Sequence, residues 1–219
     1  MKLAVYIDGL NLYYGALKKT PYKWLDVESL VKNILPSHCS VVSIKYFTAR
    51  ISPVIGNIDA PLRQSLYIRA LKTLKNMEIE EGHFLTHVVH SLSIPKDYAY
   101  KNLEEMIKKK KLKPVRVLKR EEKGTDVNLA SHLLVDAFEN KYKGAVVVSN
   151  DSDLFTPMQM VKTKYNKKLF LISPYKRKSA KLCQIVDYIT GIKKSHLQNS
   201  QFPETLKDER GKFKKPFTW

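Results

Sequence analysis

Asp8, Asp126, Asp151 and Asp153 are the side chains whose type and placement point to chemistry. Asp8 closes an apolar run, residues 3–7 (LAVYI), and is followed by Gly9 and Asn11. Asp151 and Asp153 follow a second run, residues 145–148 (AVVV), after Ser149 and Asn150. Asp126 opens the most regular helical pattern in the chain. Short β-branched apolar runs are strands buried on both faces of a parallel sheet, and open α/β sheets bind ligands beyond the C-terminal ends of their strands. If the two strands are neighbours and the helix begins at the same edge, four carboxylates share one cleft. Carboxylates this close repel and raise each other's pKa. A hard divalent cation, Mg²⁺ or Mn²⁺, relieves that repulsion with all-oxygen ligands. Such an ion activates water and stabilises charge on a phosphodiester, which is what hydrolysis of a nucleic-acid backbone requires.

Each residue also has a plainer reading. Asp126 and Asp153 would complement helix dipoles, while Asn11, Asp151 and Ser152 would shape turns. Those roles explain neither Asp8 at a strand end nor the polar succession after Val148. Asp136, ten residues beyond Asp126, is rotated away from it and reads as structural.

The elements that must position these residues alternate. Strands are expected over residues 3–7, 41–47, 78–85, 115–119, 145–148 and 168–172. Helices are expected over 25–35, with Asp26 as N-cap, and over 61–76. Further helices are expected over 125–140, with Thr125 as N-cap, over 154–165 and over 179–188. Residues 11–14 lead into a loop. This alternation predicts an α/β fold: an open, mostly parallel sheet with helices on both faces, a Rossmann-like three-layer sandwich. Residues 1–190 would form one domain, with 86–114 a surface insertion and 191–219 a basic C-terminal tail that either docks or stays mobile. The insertion holds a possible helix over 97–111, the block Lys108 to Lys111, and His87 and His90, with His83 just before it. On a helix the three histidines would share a face, but the surrounding residues are strand-prone, which argues against a metal site there.

Among 219 residues, 39 Lys and Arg against 21 Asp and Glu give a net charge of +18, which favours a polyanionic partner. No apolar run reaches the ~20 residues needed to span a bilayer, and the first residues pattern as a strand rather than a leader, so a cytoplasmic protein with no membrane partner is expected. Cys39 and Cys183 lack metal-ligand or disulfide spacing. No GxGxxG follows a strand to suggest a dinucleotide site.

Three segments in order, YIDGLNLYYG at 6–15, KGTDVNLASHLL at 123–134 and VVVSNDSDLFTPM at 146–158, resemble the NYN domain family, which has a PIN-like fold and includes LabA-type proteins. The resemblance covers most of residues 1–190 and implies a Mg²⁺- or Mn²⁺-dependent endoribonuclease with Asp8, Asp126, Asp151 and Asp153 as catalytic and metal-binding residues and Asn11 as a positioning residue. Tyr13, Tyr14, Lys123, Ser149 and Asn150 are then the residues expected to contact RNA, single-stranded or structured. Tyr22 and Trp24 are further candidates for stacking on bases. The family pattern carries a further acid about two helical turns after the second-motif aspartate, where this chain has His132, and Gly is frequent at the position of Asn150. Those departures bear on activity more than on fold. The alternatives are a catalytically weak RNA-binding adaptor and, from a different class, an oxidoreductase acting on a small aromatic compound. The sequence leaves a homo-oligomer open.

Overall fold

The computed structural model describes residues 1–53, 56–93, 103–108 and 113–219. The expected lysine block lies largely outside them, since residues 109–111 and the Lys108 side chain are not among the described parts. The described residues form two compact units, one of Met1–His83 with Lys123–Trp219 and one of Phe84–Glu122.

In the first unit, β1 (Lys2–Asp8) is the central strand. It pairs in parallel with β2 (Ser40–Ala49) on one side and with β5 (Gly144–Val148) on the other. β2 pairs in parallel with the first part of β3 (Met77–Ser93). β5 pairs with β6 (Lys168–Ser173), and β6 with β7 (Tyr188–Gly191), again in parallel. The full strand order is β4-β3-β2-β1-β5-β6-β7, with β4 (Lys113–Lys123) as its seventh member. Successive strands run outward from β1 in one direction and from β5 in the other. The β1/β5 boundary is therefore the topological switch point, the crevice where open α/β sheets place ligands.

Odd and even residues of the central strands feed two cores, as the period-2 alternation of a strand requires. Leu3, Val5, Ile7, Val146 and Val148 pack with residues of α2 (Val27–Ile34) and α3 (Ala60–Leu71). Ala4, Tyr6, Ala145 and Val147 pack with α5 (Thr125–Phe138), α6 (Phe155–Tyr165) and Leu182 of the short α7 (Ala180–Cys183). Helices thus cover both faces, as the alternation implied. Asp26 caps α2 by accepting from the Ser29 N–H at 3.0 Å.

Several expectations change. Residues 11–14, expected only to lead into a loop, are helical: α1 (Gly9–Leu12) runs into a wider π-turn (Tyr13–Leu17). The cap of α5 is Gly124 rather than Thr125, with a left-handed φ of 97° that glycine adopts without the Cβ penalty. Val127 and Phe138 of that helix are apolar yet exposed. The pattern over 179–188 yields one turn of helix followed by edge strand β7, because β6 still offers a free hydrogen-bonding edge there.

Residues 191–219 dock rather than trail. They form α8 (Lys194–Gln198) and an antiparallel hairpin, β8 (Thr205–Asp208) and β9 (Gly211–Lys214). Trp24 is fully buried with ring centroids of Phe202, Phe213 and Trp219 at 5.8, 6.4 and 6.4 Å, and its indole N–H donates to the Pro203 carbonyl at 2.8 Å. Tyr22 packs half-buried against the same core. Trp24 is withdrawn as a stacking candidate, since a fully buried ring presents no free face.

In the second unit, β3 continues to Ser93 and β4 begins at Lys113, with a short α4 (Leu103–Lys108) between them in the chain. The Arg120 guanidinium lies 4.4 Å from the Phe84 ring, and the Ser93 hydroxyl donates to the Lys113 carbonyl at 3.3 Å. The expected insertion at 86–114 falls inside this unit. His87 and His90 lie on an extended strand, where an odd spacing sends them to opposite faces, so the helical alignment of the histidines does not arise.

Candidate functional site

Asp8 ends β1 at the switch point and is 4% exposed. Its Oδ1 accepts the Asn11 N–H at 2.8 Å, which starts α1, and its Oδ2 accepts the Ser149 hydroxyl at 3.0 Å. The Asn11 side chain reaches the other way, its Oδ1 accepting the Asn150 N–H at 2.9 Å. Ser149 Oγ also accepts the Asp151 N–H at 3.1 Å, and Asp151 Oδ1 accepts the Asp153 N–H at 2.9 Å. The ends of β1 and β5 are thereby laced into one rigid polar edge.

Burial is the main force on Asp8, pushing its pKa up to about 6; hydrogen bonds from Asn11 and Ser149 oppose this, while the charges of Asp126 and Asp151 add to it. Carboxylates from the ends of two strands and the first turn of α5 therefore act on one another across the edge. Asp153 is exposed and is placed by its backbone alone, with Asp126 and Asp151 as the main charges acting on Asp8. Oxygen-only donors gathered around a buried, raised Asp8 fit a hard divalent cation, whose charge would lessen the penalty on ionised Asp8.

The residues expected to touch RNA separate. Tyr14 is 56% exposed, edge-on to Tyr13 at 5.4 Å, with the Lys18 ammonium 4.8 Å from its ring. Tyr13 is half-buried against the core, and Lys123 is exposed just before α5. Ser149 is fully buried, so it cannot meet a ligand from solvent and instead orients Asp8. The Asn150 side chain is a strut: its Oδ1 accepts the Ser179 N–H at 2.7 Å and the Ser173 hydroxyl at 3.1 Å, and its Nδ2 donates to the Arg177 carbonyl at 3.1 Å. A glycine at 150 could hold none of these.

A second polar group on the same sheet face escaped sequence reasoning. Lys45, 6% exposed, lies 2.7 Å from Asp136, 3.4 Å from Glu78 and 3.2 Å from His132 Nδ1. An ammonium can only donate, so Nδ1 accepts. Asp136 also accepts from the Tyr6 hydroxyl at 2.7 Å and from Lys141 at 3.1 Å. Burial works to raise Asp136, but the hydrogen bonds from Lys45, Tyr6 and Lys141 outweigh it and hold its carboxyl below the usual range. Glu78, Glu80 and His132 bring one ligand atom each to within 4.8 Å, a possible metal trio. Lys45 already supplies the positive charge beside two of its members. The trio is also remote from Asp8: the register runs Asp8, Phe47, Glu80 across three strands, so two strand spacings, about 10 Å, separate Asp8 from Glu80. Paired catalytic ions lie about 4 Å apart, so the trio is no second half of the aspartate site. The signal for this group was a lone lysine in the apolar run VVSIKYF, where burial demands a partner.

Fold and site together define an α/β protein with an acidic cluster at the switch point of a parallel sheet. The chain belongs to the NYN domain family, whose model matches residues 2–193. It is similar to 6-hydroxy-3-succinoylpyridine 3-monooxygenase HspA of Pseudomonas putida, 32% identical over 192 residues. That match covers 80% of this chain and 60% of the relative, so the chain spans about 60% of the relative's length. A crystal structure of a Vibrio parahaemolyticus protein of unknown function shares the fold, with a TM-score of 0.56 at 16% identity, covering 92% of this chain and 96% of that one. Among the described residues, no helix is long and apolar enough to cross a membrane.

Proposed function

We propose that the protein is a metal-dependent endoribonuclease that hydrolyses RNA phosphodiester bonds at the β1/β5 edge. The observation that carries this reading is the buried Asp8 carboxylate at this edge, pushed up to about 6 chiefly by burial, with the charges of Asp126 and Asp151 adding to it. Asp8, Asp126, Asp151 and Asp153 would hold Mg²⁺ or Mn²⁺, and a bound cation of this kind supplies charge neutralisation at a scissile phosphate and lowers the pKa of water. The chain's own contribution is positional. Asn11 and Ser149 fix both oxygens of Asp8, Ser149 and Asn11 tie the segment after β5 to the end of β1 and the start of α1, and Asp151 sets the backbone of Asp153. Membership of the NYN family and the net charge of +18 support a nuclease acting on a polyanion.

The 32% identity to a named monooxygenase favours a second reading, an oxidoreductase acting on a small aromatic compound. One experiment separates the two. Purified protein and its Asp151→Asn variant are incubated with mixed RNAs in Mn²⁺ or in chelator, and the absorbance spectrum is recorded. Cleavage that needs Mn²⁺ and disappears in the variant supports the nuclease; cleavage that persists in the variant overturns this site. Binding without cleavage supports an adaptor, and a bound flavin band supports the oxidoreductase.

A further inference from the structure

The segment after β6, residues 174–179 (PYKRKS), carries three successive cations at the same edge as the aspartates. Its backbone is held by buried or half-buried groups. Ser173, fully buried, donates to the Tyr175 carbonyl at 3.1 Å and accepts the Tyr175 N–H at 3.3 Å. Asn150, next to Asp151 in the chain, grips the Arg177 carbonyl at 3.1 Å and the Ser179 N–H at 2.7 Å. The other side of the segment is closed by Gly15, where a Cβ would stand 2.7 Å from the Tyr175 ring and 2.8 Å from Pro174. Fixed main chain contrasts with unengaged side chains. Lys176, Arg177 and Lys178 are exposed, and among the described residues none makes an ion pair. Arg69, Arg50 and Lys141, by comparison, are each committed to a carboxylate.

We infer that residues 175–178 form a phosphate-binding strap that lays single-stranded RNA across the aspartate edge, Lys176, Arg177 and Lys178 meeting successive phosphates. The inference rests on the ribonuclease reading above and assigns its substrate-binding element. A rigid loop with three free cations loses little order on binding a polyanion. It also offsets the repulsion between RNA and the aspartates. The exposed Tyr14, on the π-turn against which Tyr175 packs, supplies an aromatic face for an unpaired base, which favours single strands over duplex. Asn150 is then a positioning residue. It couples the strap to Asp151 without touching RNA.

The test uses the full chain carrying Asp151→Asn, in chelator, so that binding is read without cleavage. Affinity for a fluorescent single-stranded RNA is measured across salt for this protein, for one further carrying Lys176→Gln, Arg177→Gln and Lys178→Gln, and for a control carrying Lys207→Gln, Lys212→Gln and Lys214→Gln on the β8–β9 hairpin. Each phosphate contact to a single strand contributes ~0.7 to the salt slope, so losing three lowers it by about 2. The expected result is that drop for the strap variant, with at least ~10-fold weaker binding at moderate salt, an unchanged slope for the control, and weaker competition by duplex RNA. Strap and control variants with the same slope, or equal competition by duplex, overturn the strap while leaving an RNA-binding protein. No RNA binding by the parent at any salt overturns the ribonuclease reading and the strap with it.

Discussion

At the scale of single residues, the charge on Asp8 sets a trade-off between stability and chemistry. Its folded pKa of about 6 lies above the usual 3.8, so the folded state binds its proton more tightly than the unfolded chain. The resulting destabilisation is complete above pH ~6 and vanishes below pH ~4, where both states are protonated. A shift of this size corresponds to at most ~3 kcal/mol. Asp8→Asn keeps only one of two acceptor oxygens, so it should stabilise the protein by ~1–2 kcal/mol at pH 7.5 and not at all at pH 3.5, read by urea denaturation. The same variant should lose any rise in Tm that Mn²⁺ confers on the native chain, since a ligand stabilises only the state that binds it. Asp136 has the opposite sign. Held below its usual range by Lys45, Tyr6 and Lys141, it contributes stability above its unfolded pKa that is lost as pH falls through its folded value. Lys45→Met leaves that buried carboxylate short of its closest cation and should cost ~3–5 kcal/mol, whereas Lys45→Met with Asp136→Leu should recover much of it. A double variant as unstable as the single one would show that packing, not charge, is at stake.

At the scale of elements, the C-terminal segment belongs to the core. The β8–β9 hairpin is fastened by a two-pronged pair between Arg69 and Asp208 at 2.6 and 2.7 Å, with the Arg69 guanidinium 4.1 Å from the Phe213 ring. Phe213 in turn covers Trp24. Phe213→Ala should lower stability by ~3 kcal/mol in urea denaturation, with a change in Trp fluorescence, because it opens a cavity against a buried indole. A loss under ~0.5 kcal/mol would mean the hairpin is not packed as described. This docking was legible only in part. Prolines and lysines over 202–216 pattern as a tail, and the aromatics that anchor it are too far apart for any local periodicity. Edge strand β7 was hidden for a similar reason, since four residues carry little pattern and their conformation is set by the open edge of β6.

At the scale of the whole molecule, a net charge of +18 accompanies an acidic edge. Long-range attraction and local repulsion then act on the same polyanion. The logarithm of RNA affinity should fall linearly with the logarithm of salt, with a slope of magnitude above ~2, since the strap alone accounts for about that much. A salt-independent affinity would separate the net charge from nucleic-acid binding altogether. Arrangement also matters at this scale because the polar groups fall into two sets on one sheet face. The aspartates stand at the strand ends, and the Lys45 group begins on the neighbouring strand β2, beside Tyr6, and reaches Glu78 and Glu80 on β3. His132 belongs to that second set, 3.2 Å from Lys45 and 3.8 Å from Glu80.

The alternation of apolar runs with helical periods was enough to determine the open parallel sheet and the positions of Asp8 and Asp151 at strand ends, because each strand and helix writes its period locally. The three motifs were enough to identify the family. Tertiary structure alone decided that β1 lies beside β5, which makes Asp8 and Asp151 neighbours across ~140 residues of chain. It also turned Ser149 inward, engaged Asn150 as a strut and buried Trp24. Strand order and side-chain partners depend on which edges pair and which surfaces leave water together. Those are non-local choices that no window of sequence records.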